Sequence, residues 1–356
     1  MIEPKHKLVE FGELRQDVIT ENWVVMATER GQRPDNFAPE KKSTHHDKPV
    51  PRYKDNCPFC NLATYPQDPD VLRLPDDPEK WQVHIFGNKY PAFRPKDEVK
   101  SWKVGPYRVV ESIGYHELLA PRYHNQFDGL IAESLLALEF EALVLRYRQL
   151  RQKPSVNYIQ IIKNHGVEAG ASLEHPHHQI FTVPVLPSDI ADLLFGTQRF
   201  AQQHNKKAFT IILEFERSEQ KRIVWENEHF TAFCPFASRV PFETWILPRQ
   251  SNPYFDSIGP EERQALAEIM RQVLGRMYIG LNDPPYNYYI HSAPCDDTGF
   301  VCDANIFPNF RWHIAILPRL SKFAGFELGT GIEINTVLPE EAAAFLREQK
   351  LPEPVM

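Results

Sequence analysis

The chain has 356 residues, 42% of them apolar and 12% aromatic, which is enough for a large core and long for a single domain. Its net charge of −7 is spread without a basic block, and no apolar run reaches bilayer length, so neither a nucleic-acid partner nor a membrane span is expected. The charged N-terminus lacks a signal peptide's apolar stretch, and five cysteines are an odd count for a disulfide framework; both point to a reducing, cytoplasmic setting.

The 31 prolines predict short elements joined by long loops. In chain order, β-branched and aromatic residues predict strands at 23–27 (WVVMA), 82–86 (QVHIF) and 115–120 (YHELLA). Residues 131–152 follow, with Leu135, Leu138, Phe140, Leu143 and Tyr147 near helical spacing. Strands are then expected at 158–163, 179–185, 209–215 (FTIILEF), 230–236 and 243–248. A helix over 260–280 opens on proline and acids, strands follow at 287–293 and 312–318, and PEEAAAFLREQ predicts a last helix at 339–349.

One order of elements occurs twice. Strand, strand, helix, strand, strand runs from IFGNKYPAF to HHQIFTVPVLP and again from FTAFCPFASRVPF to RWHIAILPRL. An internal duplication is the reading, giving an α+β fold of two antiparallel sheets, each with one crossover helix. The boundary is placed near Pro184–Ser188, dividing the chain into 1–186 and 187–356.

Two stretches carry chemistry. Cys57 and Cys60 form a C-x-x-C pair, a common half-site for tetrahedral zinc, and His124 and His175 near strand ends can complete it. Ordinary buried thiols or a redox pair are the alternatives. In GASLEHPHHQIF, side chains alternate along a strand, so His175, His177 and Gln179 share one face and Pro176 and His178 the other. With His175 on a metal, His177 keeps a ring nitrogen free to attack phosphorus, provided its other nitrogen donates to a fixed acceptor such as a backbone carbonyl. The Gln179 amide can donate to a phosphoryl oxygen, and Gly170, Ala171 and Ser172 let backbone N–H groups approach one. A purely metal-binding histidine cluster is the competing reading.

The ordered set of motifs WVVMATERGQRP (23–34), CPFC (57–60), FGNKYPAF (86–93), GYHELLAPRYHN (114–125), NHGVEAGASLEHPHHQ (164–179), FASRVPFETWILP (236–248) and KFAGFELGTG (322–331) resembles the galactose-1-phosphate uridylyltransferase family of the histidine-triad superfamily. The resemblance implies two histidine-triad-like repeats, the first carrying the zinc site and nucleophile and the second contributing a hexose-phosphate segment. It also implies a homodimer and ping-pong nucleotidyl transfer in carbohydrate metabolism, with a nucleotide sugar and hexose 1-phosphate, or inorganic phosphate, as substrates. Carried over by motif, His177 is the nucleophile and Gln179 its partner. Cys57, Cys60, His124 and His175 hold a structural Zn²⁺. Arg30, Arg33, Asn88, Asn164, Gly170 and Ser172 line the nucleotide, and Lys322, Phe323 and Glu327 meet the hexose phosphate.

The sequence departs from that pattern in places. His178 stands where some members have glycine, and it is expected to face away from the chemistry. His291 and His313 match two ligands of a second metal site, but Ala315 and Leu193 replace others, so that site is expected to be absent. The segment AGFELGTGIEIN, with Glu333 at a family glutamine position, resembles a divergent branch that includes ADP-glucose phosphorylase. Exchange between UDP-glucose and galactose 1-phosphate is the leading expectation. Phosphorolysis of ADP-glucose or a dinucleoside polyphosphate is the alternative, and a non-catalytic zinc-stabilised nucleotide-binding protein is the reading from another class.

Overall fold

The computed structural model describes residues 12–28, 50–62, 64–66, 69–296 and 304–351. The first half supplies strands β1 (Glu13–Gln16), β2 (Trp23–Met26), β3 (Asp70–Leu74), β4 (Val83–Gly87), β5 (Ser101–Val104), β6 (Tyr107–Val110) and β7 (His116–Pro121). Helix α1 (Glu133–Arg151), β8 (Tyr158–His165) and β9 (His178–Val183) complete it. The second half runs α2 (Ser188–His204), α3 (Ala208–Glu219), β10 (Ile223–Glu226), β11 (Phe230–Phe233), β12 (Thr244–Pro248), α4 (Pro260–Gly280), β13 (Tyr286–His291) and β14 (His313–Pro318). It ends with α5 (Gly325–Thr330), β15 (Glu333–Asn335) and α6 (Pro339–Glu348).

Ten strands form one antiparallel sheet in the order β3-β4-β7-β9-β8-β13-β14-β12-β11-β10. Read outward from the central β8–β13 pair, the two halves list corresponding strands in the same order, with α1 and α4 as the two crossover helices. The fold is thus α+β with an antiparallel main sheet, as the element pattern predicts, although the β8–β13 pairing joins the two expected sheets into one.

Alternation along the strands gives the sheet two different faces. Ile159, Ile161, Ile180, Tyr288, Ile290, Ile314 and Ile316 belong to the core shared with α1 and α4, which pack against each other. Tyr158, Trp245, Leu247, Ala315 and Leu317 face the opposite way, into a second core with α2 and α3. Helix α4 starts where proline and acids predict it, and Glu262 Oε2 accepts from Gly259 N–H at 2.7 Å. A buried, bidentate Arg146–Glu117 pair (2.7 and 2.5 Å) ties β7 to α1. Among the described residues no helix is long and apolar enough to cross a membrane.

The stretch 209–215, expected as a strand, is the body of helix α3. Its β-branched content suggests a strand, but its buried residues Phe209, Leu213 and Glu216 recur at intervals of four and three, and Ala208, Phe209 and Ile212 pack into the second core. Tertiary packing outweighs propensity here. Helix α2 also lies outside the sequence expectations.

Candidate active site

Residues 52–61 fold over the ends of β4 and β7, where Cys57 and Phe59 join Phe86, Leu118 and Ala120 in a small core. This brings Cys57, Cys60, His124 and His175 together, with four ligand atoms all within 4.8 Å of one another. Cys57 Sγ lies 3.6 Å from His175 Nδ1, and Cys60 Sγ lies 3.5 Å from the Nδ1 atoms of His124 and His175. Tetrahedral bonds of about 2.3 Å to sulfur and 2.0–2.1 Å to nitrogen set S and N about 3.6 Å apart across an ion, so donors and spacing both fit a tetrahedral metal.

The outer ring nitrogens are already engaged. His175 Nε2–H donates to the Pro121 carbonyl at 2.9 Å, and His124 Nε2 lies 3.4 Å from Glu174 Oε2, whose carboxylate also pairs with Lys54. Both Nδ1 lone pairs therefore point inward, as metal-bound histidines require. Burial raises the Cys57 thiol, but the imidazoles of His124 and His175 beside it outweigh that and bring the group down to about 5; burial lifts Cys60 to about 11.

His177 sits immediately before β9, its ring 5.4 Å from that of Phe59, which also touches His175. Its Nδ1–H donates to the His175 carbonyl at 2.9 Å, leaving Nε2 as the lone-pair nitrogen. Burial, aided by the charge of Lys163, depresses His177 to about 4 against the opposing hydrogen bond, so the ring is neutral near pH 7. Gln179 follows two residues on, and its Oε1 lies 3.1 Å from Nε2 of His116, a residue the sequence reading overlooked.

The neighbouring amides share one polarity. Tyr90 N–H donates to Asn88 Oδ1 at 2.9 Å, so the Asn88 N–H₂ faces away from its own backbone. Arg319 Nε donates to Asn287 Oδ1 at 2.5 Å, and Asn287 Nδ2 donates to Asn164 Oδ1 and the Ala169 carbonyl, each at 2.7 Å. Asn287 and Arg319 come from the second half and were likewise overlooked; they leave the Asn164 N–H₂ unspent. Asn164 and Gln179 thus tie their oxygens inward and keep donors for a ligand, while the Asn88 amide nitrogen lies 3.0 Å from His116 Nε2.

The loop after β8 carries Gly170 at φ +83° and Gly166 at φ +82°, where a Cβ would meet Pro285 at 2.7 Å. Ser172 is exposed beside them. Among the described residues no hydrogen bond or ion pair joins Lys322, Phe323 or Glu327 to His177. Lys322 and Phe323 are exposed, and Glu327 Oε2 accepts from Ala324 N–H at 2.9 Å at the start of α5. Arg30 and Arg33 lie outside the described residues.

His178 points to the opposite face and is fully buried. Its Nε2 bonds the Tyr288 hydroxyl, which donates to Asp128 Oδ2 at 3.0 Å; Asp128 pairs with Lys163; and Glu139 Oε2 lies 3.6 Å from His178 Nδ1 and 3.8 Å from Lys163 Nζ. Asp128, Glu139 and His178 are spaced like metal ligands, but the Lys163 ammonium already pairs with Asp128 and lies 3.8 Å from Glu139 Oε2.

The family model described as "Domain of unknown function (DUF4921)" matches residues 132–349. An ADP-glucose phosphorylase of Arabidopsis thaliana is 33% identical over 347 residues, covering 95% of this chain and 93% of its own length. A galactose-1-phosphate uridylyltransferase of Thermotoga maritima is 31% identical over 350 residues, covering 95% of this chain and 99% of itself. The chain belongs to the galactose-1-phosphate uridylyltransferase family. Among solved structures of that family, the Arabidopsis thaliana ADP-glucose phosphorylase with bound ADP-glucose is similar at a TM-score of 0.79 and 29% identity, covering 96% of this chain and all of that one. Family membership makes this an enzyme of the nucleotidyltransferase type, and the four-residue cluster can hold a metal ion.

Proposed function

We propose that the protein transfers the nucleoside monophosphate of a nucleotide sugar by a ping-pong route through His177. Nε2 attacks the α-phosphorus; a P–N bond forms, the P–O bond to the sugar phosphate breaks, and hexose 1-phosphate leaves. A phosphate oxygen of the second substrate then attacks the same phosphorus, the P–N bond breaks, and Nε2 is restored. The observation that carries this reading is the His177 ring itself, neutral and locked through Nδ1–H to the His175 carbonyl with Nε2 unspent.

Gln179, Asn88 and Asn164 would donate to phosphate oxygens, which suits a cradle whose amides keep only donors forward. Gly170 and Ser172 would bring backbone N–H groups to the same anion, and Arg30 and Arg33 would add guanidinium contacts. Zinc would sit between Cys57, Cys60, His124 and His175, holding the strand that carries His177; a bound ion there supplies rigidity. Lys322, Phe323 and Glu327 would meet the hexose phosphate. Since no described contact joins them to His177, a homodimer is the arrangement that would seat them at a site. Residues 1–186 and 187–356 would be the two histidine-triad-like units.

UDP-glucose with galactose 1-phosphate as acceptor is the first reading. ADP-glucose with inorganic phosphate is the second, favoured by the 33% identical relative and by the F-E-L-G-T-G segment of this chain. Intact-mass measurement after incubation with each sugar, without acceptor, separates them: the added mass names the nucleoside, and the acceptor that discharges the adduct names the second substrate. An adduct also rules out a non-catalytic binding protein. Absence of any adduct with either sugar overturns the proposal.

A further inference from the structure

His116 opens β7 beside β9, opposite Phe181 in the register, and its ring stacks on Phe181 with centroids 4.0 Å apart and planes 28° apart. Both ring nitrogens are engaged. The backbone N–H of Ala92 lies 3.0 Å from Nδ1. A backbone N–H can only donate, so Nδ1 must be the unprotonated nitrogen and Nε2 must carry the hydrogen. Two side chains reach Nε2: Gln179 through Oε1 at 3.1 Å and Asn88 through Nδ2 at 3.0 Å. Only the first brings an acceptor, because the Asn88 oxygen is already taken by Tyr90 N–H.

We propose that His116 is a positioning residue that fixes the polarity of Gln179. The relay runs in one direction, from Ala92 N–H to His116 Nδ1, and from His116 Nε2–H to Gln179 Oε1. Its output is a glutamine whose N–H₂ group cannot turn inward without opposing the Nε2–H. The alternative orientation of Gln179 would present a carbonyl oxygen to an anionic phosphoryl group, and the two orientations have nearly the same shape. Without His116 the amide has no internal reason to prefer one over the other. Protonating His116 would set an N–H against the Ala92 N–H, so the relay stays in its neutral form.

The inference rests on the proposed transfer through His177, and its test is arranged to separate the two. The measurement is the single-turnover rate of His177 nucleotidylation, followed by intact mass with UDP-glucose or ADP-glucose as donor. His116→Phe keeps a ring to stack on Phe181 and removes both nitrogens; it is expected to slow nucleotidylation about 10- to 100-fold, with the donor KM changed less than about 3-fold. His116→Gln can accept from Ala92 and donate to Gln179, and should recover most of the rate. In a Gln179→Ala background, His116→Phe should cost less than about 2-fold, because the group it orients is gone.

A rate unchanged by His116→Phe, or an equal loss in the Gln179→Ala background, overturns the proposal. If the phenylalanine variant melts lower or loses zinc, His116→Ala repeats the comparison against the same background. Wild-type protein that takes no nucleotide from either sugar removes the transfer reading itself, and this inference with it.

Discussion

The two halves of the central sheet hold the same histidine in the same way, and only one of them is surrounded by a site. His313 Nδ1–H donates to the Arg311 carbonyl at 3.0 Å, as His177 Nδ1–H donates to the His175 carbonyl at 2.9 Å. Both rings are buried, and burial depresses both to about 4. Two residues further on, Gln179 lies between Leu118 and Ile162 in the sheet, and Ala315 lies between Trp245 and Tyr289. Position i−2 is a cluster ligand in the first half and an arginine in the second. A cavity of about 200 Å³ still lies beside His313, lined by His291, Arg239 and Glu243 together with Asp17, Thr20 and Asn22 of the first half. A backbone that presents a neutral imidazole is therefore supplied twice by the fold; among the described residues the neighbour in a Cys/His cluster and the amide two positions on belong to the first half alone.

The largest expected effect tests whether that difference matters. His177→Ala should lower transfer by at least about 10³-fold and abolish the covalent adduct, with little change in melting temperature. His313→Ala should leave the adduct and its rate near wild type. Quenched single-turnover assays on the two variants decide the comparison, and equal losses would mean the halves are not functionally distinct.

Next comes the root of the first site. Cys57→Ala or His175→Ala should abolish stoichiometric zinc binding and lower the melting temperature by roughly 5–10 °C or more, since binding energy at such a site is folding energy. Cys234, buried in the other half and outside the cluster, should be replaceable by serine without loss of metal. Metal analysis beside calorimetry checks both; a Cys57→Ala protein with full zinc would remove that residue from the ligand set.

What the sequence shows of this comparison follows from the range of its signals. Period-two alternation and the C-x-x-C and H-P-H spacings are local, and they correctly predict which residues gather around His175. The strand order is legible because the element pattern repeats. Contacts set by register across strands are not. His116 reaches Gln179 only because β7 and β9 pair as they do, and Asn287 reaches Asn164 from the other half of the chain. Glu139 and Lys163 did leave a trace, as charged residues at apolar phases of a predicted helix and strand, but nothing local says that they meet. FTIILEF was misread because composition favours a strand while tertiary packing makes α3 a helix.

The reverse side of the sheet sharpens the comparison with the smallest expected effect. Behind the first site, Lys163 pairs in register with His178; at the corresponding rungs of the second half, Ile290 pairs with Ile314. The polar half is ordered by hydrogen-bond direction. Tyr288 O–H donates to Asp128, so its oxygen accepts from His178 Nε2–H, and His178 Nδ1 is left as an acceptor facing Glu139. At 3.6 Å no hydrogen bond joins the two, and of the two forms of Glu139 only the protonated one turns a donor rather than a negative charge toward it. Burial, aided by Asp128 and opposed by Lys163, raises the Glu139 carboxyl to about 8, and burial keeps His178 neutral. A carboxyl whose folded value is raised contributes stability that is full below its ordinary value and lost as pH rises through about 8. Wild-type melting temperature should therefore fall between pH 6 and pH 9 by more than that of Glu139→Gln, whose amide stays uncharged at every pH. The difference between the two curves isolates this one group from the other titrating residues. Parallel curves would show that the carboxyl is already ionised behind the strand that follows His177, leaving His178 Nδ1 as the proton carrier.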